Sequence, residues 1–366
     1  MHNFDSIVVG GGLIGSAVSY GLARLGQKVL MLDESDNSIR AARGNFGLIW
    51  VQGKGVNHSN YADWTRQSAR QWSDFSKELS ELTNIDLAFE QSGGFDFCLN
   101  EKELGKRKTM MEKMAVNSVG EFNFEMLNNS ELKQIMPKIG PSVAGASFSQ
   151  LDGHVNPLNL LKALHKGFIH LSGILTSSAV IGIQHHQGVF QVRTKNSNYT
   201  SDKVILAAGF SNKLLATKVG LQAPLHPQRG EILVSEKIPP FLIHPTGLVR
   251  QTKDGGVLLG DSHEDVGFDE GVNINEMQKI AKRAIQIFPF LQSVKMVRAW
   301  GSLRILTNDG LPLYDQSKTC PGAFALSSHS GVTLAPVHAL DIAGRIAKNS
   351  GLPPIVECFN SDRFDV

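Results

Sequence analysis

The chain has 366 residues, which at a usual domain size of about 150 residues predicts two domains with a substantial buried core. Hydrophobic residues make up 42% and charged residues 19%, and 36 glycines indicate many tight turns, so disorder, collagen and coiled coil are excluded. The net charge is only +2 and there is no long basic run, which excludes an electrostatic footprint for nucleic acid and favours small-molecule chemistry.

The first 35 residues have the pattern of a βαβ unit. Ser6 to Val9 predicts a short buried strand, Leu13 to Leu25 a helix of small residues, and Lys28 to Leu32 a second buried strand. The apolar stretch within this unit has no basic region ahead of it and is interrupted by glycines, so we expect folded interior and no membrane span.

The remaining elements alternate between helical and strand patterns without a tandem repeat. Apolar spacing predicts helices over Tyr61 to Leu82, Leu158 to His170 and Asn273 to Phe288, and a polar helical region after Leu99. Strands are predicted at Gly93 to Leu99, Ala179 to Gly182, Val189 to Val192, Lys203 to Gly209, Glu231 to Val234, Gly247 to Arg250 and Gly256 to Leu259, with short strands and a terminal helix in Val297 to Ala347.

Three cysteines, Cys98, Cys320 and Cys358, are too few and too scattered for a disulfide framework, so we expect a reducing, cytoplasmic location. They also cannot provide the four thiolates of an ordinary iron–sulfur cluster. The pair His185 and His186 falls in a predicted hairpin, where adjacent side chains point to opposite faces, so we expect no metal site.

The segment from Gly10 to Gly15 reads GGGLIG and fits the GxGxxG dinucleotide motif between a strand and a helix. Gly10 permits the turn, Gly12 lets a pyrophosphate approach the positive end of the helix, and Gly15 allows close packing on the strand. Asp33 ends the next strand, where an acid binds a ribose hydroxyl; Glu34 takes that place if the strand register slips by one. The sequence therefore predicts a dinucleotide site.

Four segments together resemble the superfamily of FAD-dependent D-amino-acid, glycine and sarcosine oxidases over essentially the whole chain. They are GGGLIG, the strand ending VILAAG, GSLRILTNDGLPL (Gly301 to Leu313) and SSHSGVTLAP (Ser327 to Pro336). The polar loop from Ser35 to Trp50 also argues against a simple NAD domain, which leaves an NAD-dependent dehydrogenase as a distant alternative.

The resemblance implies an α/β fold in which an FAD-binding Rossmann-like domain carries a second, mixed-sheet α+β substrate domain. The FAD domain is expected in residues 1–75, 145–222 and 296–366, and the substrate domain in residues 76–144 and 223–295. The implied FAD-binding residues are Gly10, Gly12, Leu13, Ile14, Gly15, Asp33, Glu34, Arg43, Gly44, Asn45, Gly47, Leu48, Val180, Ala208, Gly209, Arg304, His329, Ser330, Gly331, Val332 and Thr333. Two of these residues have an alternative role without cofactor binding: Arg43 as a solvent-exposed arginine, and His329 as a structural histidine that bonds to the backbone.

Arg304 matches the arginine that pairs with the substrate carboxylate in glycine and D-amino-acid oxidases, with a surface salt bridge as the alternative. A planar guanidinium can hold a carboxylate through two hydrogen bonds. Arg250 is a weaker second candidate for the other acid group of a diacid such as an opine.

The chain also departs from its relatives. Ser302 and its neighbours include no cysteine where sarcosine oxidases tether FAD, so we expect non-covalent FAD. The pocket tyrosines of glycine and D-amino-acid oxidases have no clear counterpart, and Leu258 stands where sarcosine oxidases carry an oxygen-activating lysine.

Two further segments, ARGNFGLIWVQGKG (Ala42 to Gly55) and DRFDV (Asp362 to Val366), look most like beta subunits of opine oxidases and D-hydroxyproline dehydrogenases. The resemblance implies oxidation of the C–N bond of an amino-acid-like amine by hydride transfer to flavin N5. Electrons would then pass to a partner, an electron-transfer alpha subunit, or to a respiratory acceptor. A self-sufficient oxidase that releases hydrogen peroxide and a flavin-holding subunit without turnover remain as alternatives.

Overall fold

The structure is a computed structural model that describes residues 2–34, 40–118 and 122–364. Two segments used above extend past these limits. Residues 35–39 of the polar loop and residues 365–366 of the C-terminal segment lie outside the described residues.

The strands follow the predicted order, with several shorter ones between. They are β1 (His2–Val9), β2 (Val29–Asp33), β3 (Leu48–Ile49), β4 (Gly94–Cys98), β5 (Glu125–Asn128), β6 (Gly145–Ser149), β7 (Gly153–His154), β8 (Ile174–Ser177), β9 (Val180–His186), β10 (Val189–Thr194), β11 (Asn198–Leu206), β12 (Leu225–Lys237), β13 (Val249–Gln251), β14 (Gly256–Leu259), β15 (Met296–Thr307), β16 (Leu313–Gln316) and β17 (Ala323–Ser327).

The helices include each of the predicted ones. They are α1 (Leu13–Arg24), α2 (Ser59–Thr83), α3 (Glu101–Val116), α4 (Asn129–Ile135), α5 (Pro157–His170), α6 (Asn212–Leu215), α7 (Ile274–Ile287), α8 (Ala335–Val337) and α9 (Ala343–Ala347), the last two joined by a π-helical turn over His338–Ile342. Short 3-10 helices lie at Gly209–Ser211, Ala216–Val219, Pro289–Ser293, Pro354–Phe359 and Ser361–Arg363.

The main sheet has the strand order β16-β17-β11-β1-β2-β8, and its central strands are parallel. Strands β9 and β10 form the predicted antiparallel hairpin and extend the sheet from β11. Parallel strands need a covering layer on both faces, which explains why the second half of β1, Ile7 to Val9, and nearly all of β2 are apolar and buried. The fold class is the predicted one, and the carboxyl ends of these strands meet at one edge.

A second sheet has the order β13-β14-β12-β15, with antiparallel pairing throughout. A third joins β5, β6 and β4. The strand pairing places Gly145–Ser149 and Met296–Thr307 in these two sheets, although the predicted division assigned both segments to the FAD domain. The division into two interleaved domains itself stays a prediction.

Helix α1 packs unusually close to the C-terminal helical segment. A Cβ on Gly21 would lie 1.9 Å from the carbonyl oxygen of Ala339, so only glycine permits this contact. The helix is buried along most of its length because it fills the space between the sheet and the terminal segment.

Within the described residues no helix is long and apolar enough to cross a membrane. Cys98, Cys320 and Cys358 are all free thiols, so the structure does not pair them. The cytoplasmic location stays a prediction.

Candidate active site

A cavity of about 490 Å³ opens at the carboxyl ends of the parallel strands. Four strand ends reach it: Gly10 after β1, Asp33 at the end of β2, Ala207 after β11 and Ser328 after β17. In an open parallel sheet, ligands bind at this edge. The second sheet closes the other side, because Leu303 and Ile305 of β15 also line the cavity.

The glycine turn at the cavity is fixed by two close approaches of the backbone. Gly10 has φ +106°, and a Cβ there would lie 2.4 Å from the carbonyl oxygen of Ala207. A Cβ on Gly15 would lie 1.9 Å from the carbonyl oxygen of Gly10. Gly12 is different, since its Cβ would meet only the side chain of Ala42 at 4.0 Å. The protein itself therefore requires Gly10 and Gly15, whereas Gly12 leaves space for a ligand.

Helix α1 presents its N-terminus to this space. Its N-cap is Gly12, which has no side-chain capping bond, and no acidic residue lies in the first turn. The helix N-terminus carries a partial positive charge, which suits a pyrophosphate.

Both candidate ribose acids line the cavity, but they differ in their contacts. The backbone N–H of Gly11 donates to Oδ2 of Asp33 at 2.7 Å, which fixes that carboxylate beside the glycine turn. Glu34 forms an ion pair with Arg40. Asp33 is therefore the better placed of the two for the ribose.

Arg304 lies on β15 between the two residues that line the cavity, and its own side chain is not part of the lining. Its guanidinium forms an ion pair with Asp261 and donates to the carbonyl oxygens of Ser262, at 2.8 Å, and Arg229, at 3.2 Å. The side chain of Arg304 is 20% exposed and that of Asp261 is 41% exposed, so the structure shows a partly exposed ion pair, and the role of Arg304 in binding a substrate carboxylate stays a prediction.

Asp261 connects Arg304 to a second, charged cavity of about 290 Å³. Burial raises the pKa of Asp261, but the bond with His263 and the charge of Arg304 outweigh it and leave the pKa below its usual value. The lining of this cavity is Asp96, Phe97, Arg107, Thr246, Gly247, Leu248, Asp261, His263, Arg283 and Ile287. Arg304 thus stands between the cavity at the strand ends and a cavity with charges of both signs.

Arg250 lies elsewhere, on β13 beneath the loop that contains Gly47. Its guanidinium donates to the carbonyl oxygen of Val155 at 3.2 Å and lies 3.5 Å from Nδ1 of His154. Its Nε has no hydrogen-bond partner among the described residues, and burial lowers its pKa to about 10. Arg250 lines neither of the two cavities.

A lysine that the sequence reasoning did not single out contacts a residue of the larger cavity. Nζ of Lys54 is 2.8 Å from Nε2 of His329, which lines that cavity. Burial, then the charges of Lys54 and Arg304, lower the pKa of His329 well below its usual value, so its ring is neutral. Burial and the charge of Arg304 also lower the pKa of Lys54, to about 8.

The sequence model of the family FAD dependent oxidoreductase (DAO) matches residues 5–345. The chain belongs to this family of FAD-dependent oxidoreductases. It is 39% identical to an opine oxidase subunit of Rhizobium meliloti over 367 residues, which covers 100% of this chain and 99% of that protein. An opine oxidase subunit of Agrobacterium tumefaciens (strain Ach5) is 38% identical, with 100% and 98% covered.

Solved structures agree on the fold. The structure of glycine oxidase from Geobacillus kaustophilus superimposes with a TM-score of 0.92 over 100% of both chains at 22% identity. At this level of identity the likeness shows the fold alone.

The residues present fit FAD, because the glycine turn leaves room at Gly12 and the uncapped helix α1 faces the same space. Most of the predicted FAD-binding residues line the cavity of this FAD-dependent oxidoreductase. They are Gly10, Gly12, Leu13, Ile14, Asp33, Glu34, Asn45, Val180, Ala208, Gly209, His329 and Gly331.

The other predicted FAD-binding residues do not line the cavity, and several of them form hydrogen bonds within the protein near the lining residues. Thr333 accepts the backbone N–H of Trp50 at 3.1 Å, Ser330 contacts the hydroxyl of Tyr61 at 2.8 Å, and Gly44 accepts from the indole of Trp300 at 3.3 Å. The full set outside the lining is Gly15, Arg43, Gly44, Gly47, Leu48, Arg304, Ser330, Val332 and Thr333.

Sequence reasoning missed Lys54, Asp261 and the charged cavity. Lys54 lies in the segment that carried the finer resemblance, and a single cation in the run LIWVQGKG directly after β3 was an available signal. Asp261 had no such signal, because its role depends on contact with Arg304, 43 residues later.

Proposed function

We propose that this chain oxidises the C–N bond of an amino-acid-like amine that carries a carboxylate. One observation carries the proposal: Arg304 is held between the FAD cavity and the charged cavity by Asp261 and two backbone carbonyls. An arginine fixed in this way is preorganised to bind a carboxylate, because little side-chain conformational entropy is lost when the ligand binds. The identity with the opine oxidase subunit of Rhizobium meliloti over the whole chain supports the same class of substrate.

In this proposal Arg304 positions the substrate and does no proton transfer. Asp261 carries the negative charge that faces the guanidinium, and a substrate carboxylate shares that guanidinium when it binds. With the carboxylate fixed, the α-carbon hydrogen points toward the flavin, and much of the rate then comes from orientation.

Bound FAD supplies the two-electron acceptor for the hydride that leaves the α-carbon. The substrate must enter the step with a neutral amine, whose lone pair forms the C=N bond as the C–H bond breaks. Water then hydrolyses the imine to a carbonyl compound and an amine, so that atoms and electrons balance without an acid–base pair on the protein.

We infer that electrons leave to a partner protein. This chain is similar to proteins named as one subunit of an oxidase, and Leu258 lies at the position of the oxygen-activating lysine of sarcosine oxidases. The particular partner is part of the proposal.

Anaerobic bleaching of the FAD-loaded protein near 450 nm tests the proposal, with D-amino acids, N-methylglycine, hydroxyprolines and opine-type diacids as reductants. We expect fast bleaching by one class of carboxylated amine and slow recovery when air is admitted. Rapid recovery of the flavin absorbance with release of peroxide would show that oxygen, and not a partner protein, accepts the electrons, and that the chain is an oxidase. If no amine bleaches a fully loaded flavin, the isolated chain has no amine oxidation and the role of a flavin-holding subunit replaces that of an enzyme.

A further inference from the structure

The Lys54 ammonium has N–H donors that bond to no group among the described residues. Its ammonium has three N–H donors, and one of them reaches Nε2 of the neutral His329 at 2.8 Å. Among the described residues no other hydrogen bond and no ion pair involves the Lys54 ammonium. The residue is partly exposed, so its remaining donors are accessible to a ligand.

The acids around Lys54 are already engaged by other groups. Asp261 pairs with Arg304 and lies 3.5 Å from His263. Asp152 accepts the backbone N–H of Val51 at 2.6 Å and the amide of Gln52 at 2.7 Å. Lys54 is therefore a cation near Arg304 whose nearest hydrogen-bond partner is neutral.

Lys54 and Arg304 are close enough for the charge of Arg304 to lower the pKa of Lys54, so the two cations repel each other until an anion binds. One carboxylate on Arg304 leaves Lys54 without a counter-charge, whereas a ligand with two carboxylates satisfies both.

We propose that Lys54 determines specificity by binding a second acid group of the substrate. The inference rests on the proposed function and assigns Lys54 as the residue that selects diacids. Arg304 holds the carboxylate beside the reacting carbon, and Lys54 holds the other one.

The test uses two thioethers that have no amine to oxidise: thiodiacetate, with two carboxylates, and (methylthio)acetate, with one. Binding to the FAD-loaded protein is followed by the change in the flavin spectrum. Wild type should bind the diacid at least tenfold more tightly. Lys54→Met should remove most of that preference and leave the monoacid Kd unchanged, Lys54→Arg should restore part of it, and the exposed Lys279→Met should match wild type.

A second measurement on wild type alone keeps the inference falsifiable if the variants fail to fold. Lys54 must be protonated to bind an anion, and burial lowers its pKa to about 8, so the diacid preference should fall as pH rises from 7 to 9.5. Arg304, Asp261, Asp152, His329 and His263 also face this region, but they act on both ligands, and the ratio of the two Kd values removes their shared effect.

A Lys54→Met protein that keeps the wild-type preference, or a ratio that does not change with pH, overturns the inference. Equal binding of diacid and monoacid by wild type overturns it as well, while the proposed function stands. If neither thioether binds and no carboxylated amine reduces the flavin, the proposed function fails and takes this inference with it.

Discussion

Lys54 shows how a single residue can carry a cost to stability. Burial and the charge of Arg304 lower its pKa from 10.5 to about 8, so the folded protein disfavours the charged form relative to the unfolded chain. The cost is fully present below pH 8, where Lys54 is protonated in both states. It disappears as pH rises from 8 to 10.5.

Lys54→Met should therefore stabilise the FAD-loaded protein without ligand at pH 7. We expect a gain on the order of 1–2 kcal/mol, below the full value of the pKa shift because the side chain is partly exposed, and a rise of about 1 to 3 °C in the thermal midpoint. The gain should shrink as pH rises from 8 to 10.5. A midpoint that falls, or a gain that grows with pH, would show that Lys54 stabilises the fold, and Lys279→Met serves as the control.

At the scale of elements, the β1–α1 unit was predictable because its pattern is local. The buried strand, the three glycines, the small-residue helix and the acid at the end of β2 occur within 33 residues, and the structure places them as expected. The strands β5 and β6 were not predicted, since they are short and their pairing joins segments about 20 residues apart.

We predict that two glycines of this unit have different roles, with Gly15 required for the fold and Gly12 for cofactor binding. Gly15→Ala should destabilise the protein with or without FAD, by about 2 kcal/mol or more, because its Cβ would lie 1.9 Å from a backbone oxygen. Gly12→Ala should leave the apoprotein midpoint within about 1 °C of wild type, since its Cβ meets only Ala42, yet weaken FAD binding at least tenfold. Thermal melts of the apoproteins and FAD titrations measure both effects. Unchanged FAD affinity in Gly12→Ala would show that the pyrophosphate does not bind at this turn.

At the scale of the whole molecule, the site depends on contacts between distant parts of the chain. Lys54 and His329 are 275 residues apart, and Leu303 of the second sheet completes a cavity built mainly by the first. Sequence patterns located many residues that line the cavity, including Val180 and Gly331. They could not show which side chains meet across it, because that depends on how the two sheets face each other.

The length of the cavity makes a prediction about the cofactor. It extends from Asp33 and Val180 to Leu303 and His329, as a dinucleotide in an extended pose requires. FAD at 100 times its Kd should stabilise the apoprotein by about 2.7 kcal/mol, which is a rise of about 3 to 4 °C in the midpoint. FMN at the same concentration lacks the adenylate and should give less than half of that rise. An equal effect of FMN would contradict a site for the adenylate at Asp33.

The central claim is that Arg304 presents the substrate carboxylate to the flavin. The most direct test is the anaerobic rate of FAD reduction by a carboxylated amine and by its carboxamide, in wild type, in Arg304→Met and in the exposed control Arg193→Met. We predict that Arg304→Met keeps bound FAD and loses about 100-fold in reduction by the acid, about 2.7 kcal/mol, with little change for the amide. Reduction of the acid at the wild-type rate by Arg304→Met, or an equal loss for acid and amide, would contradict the account.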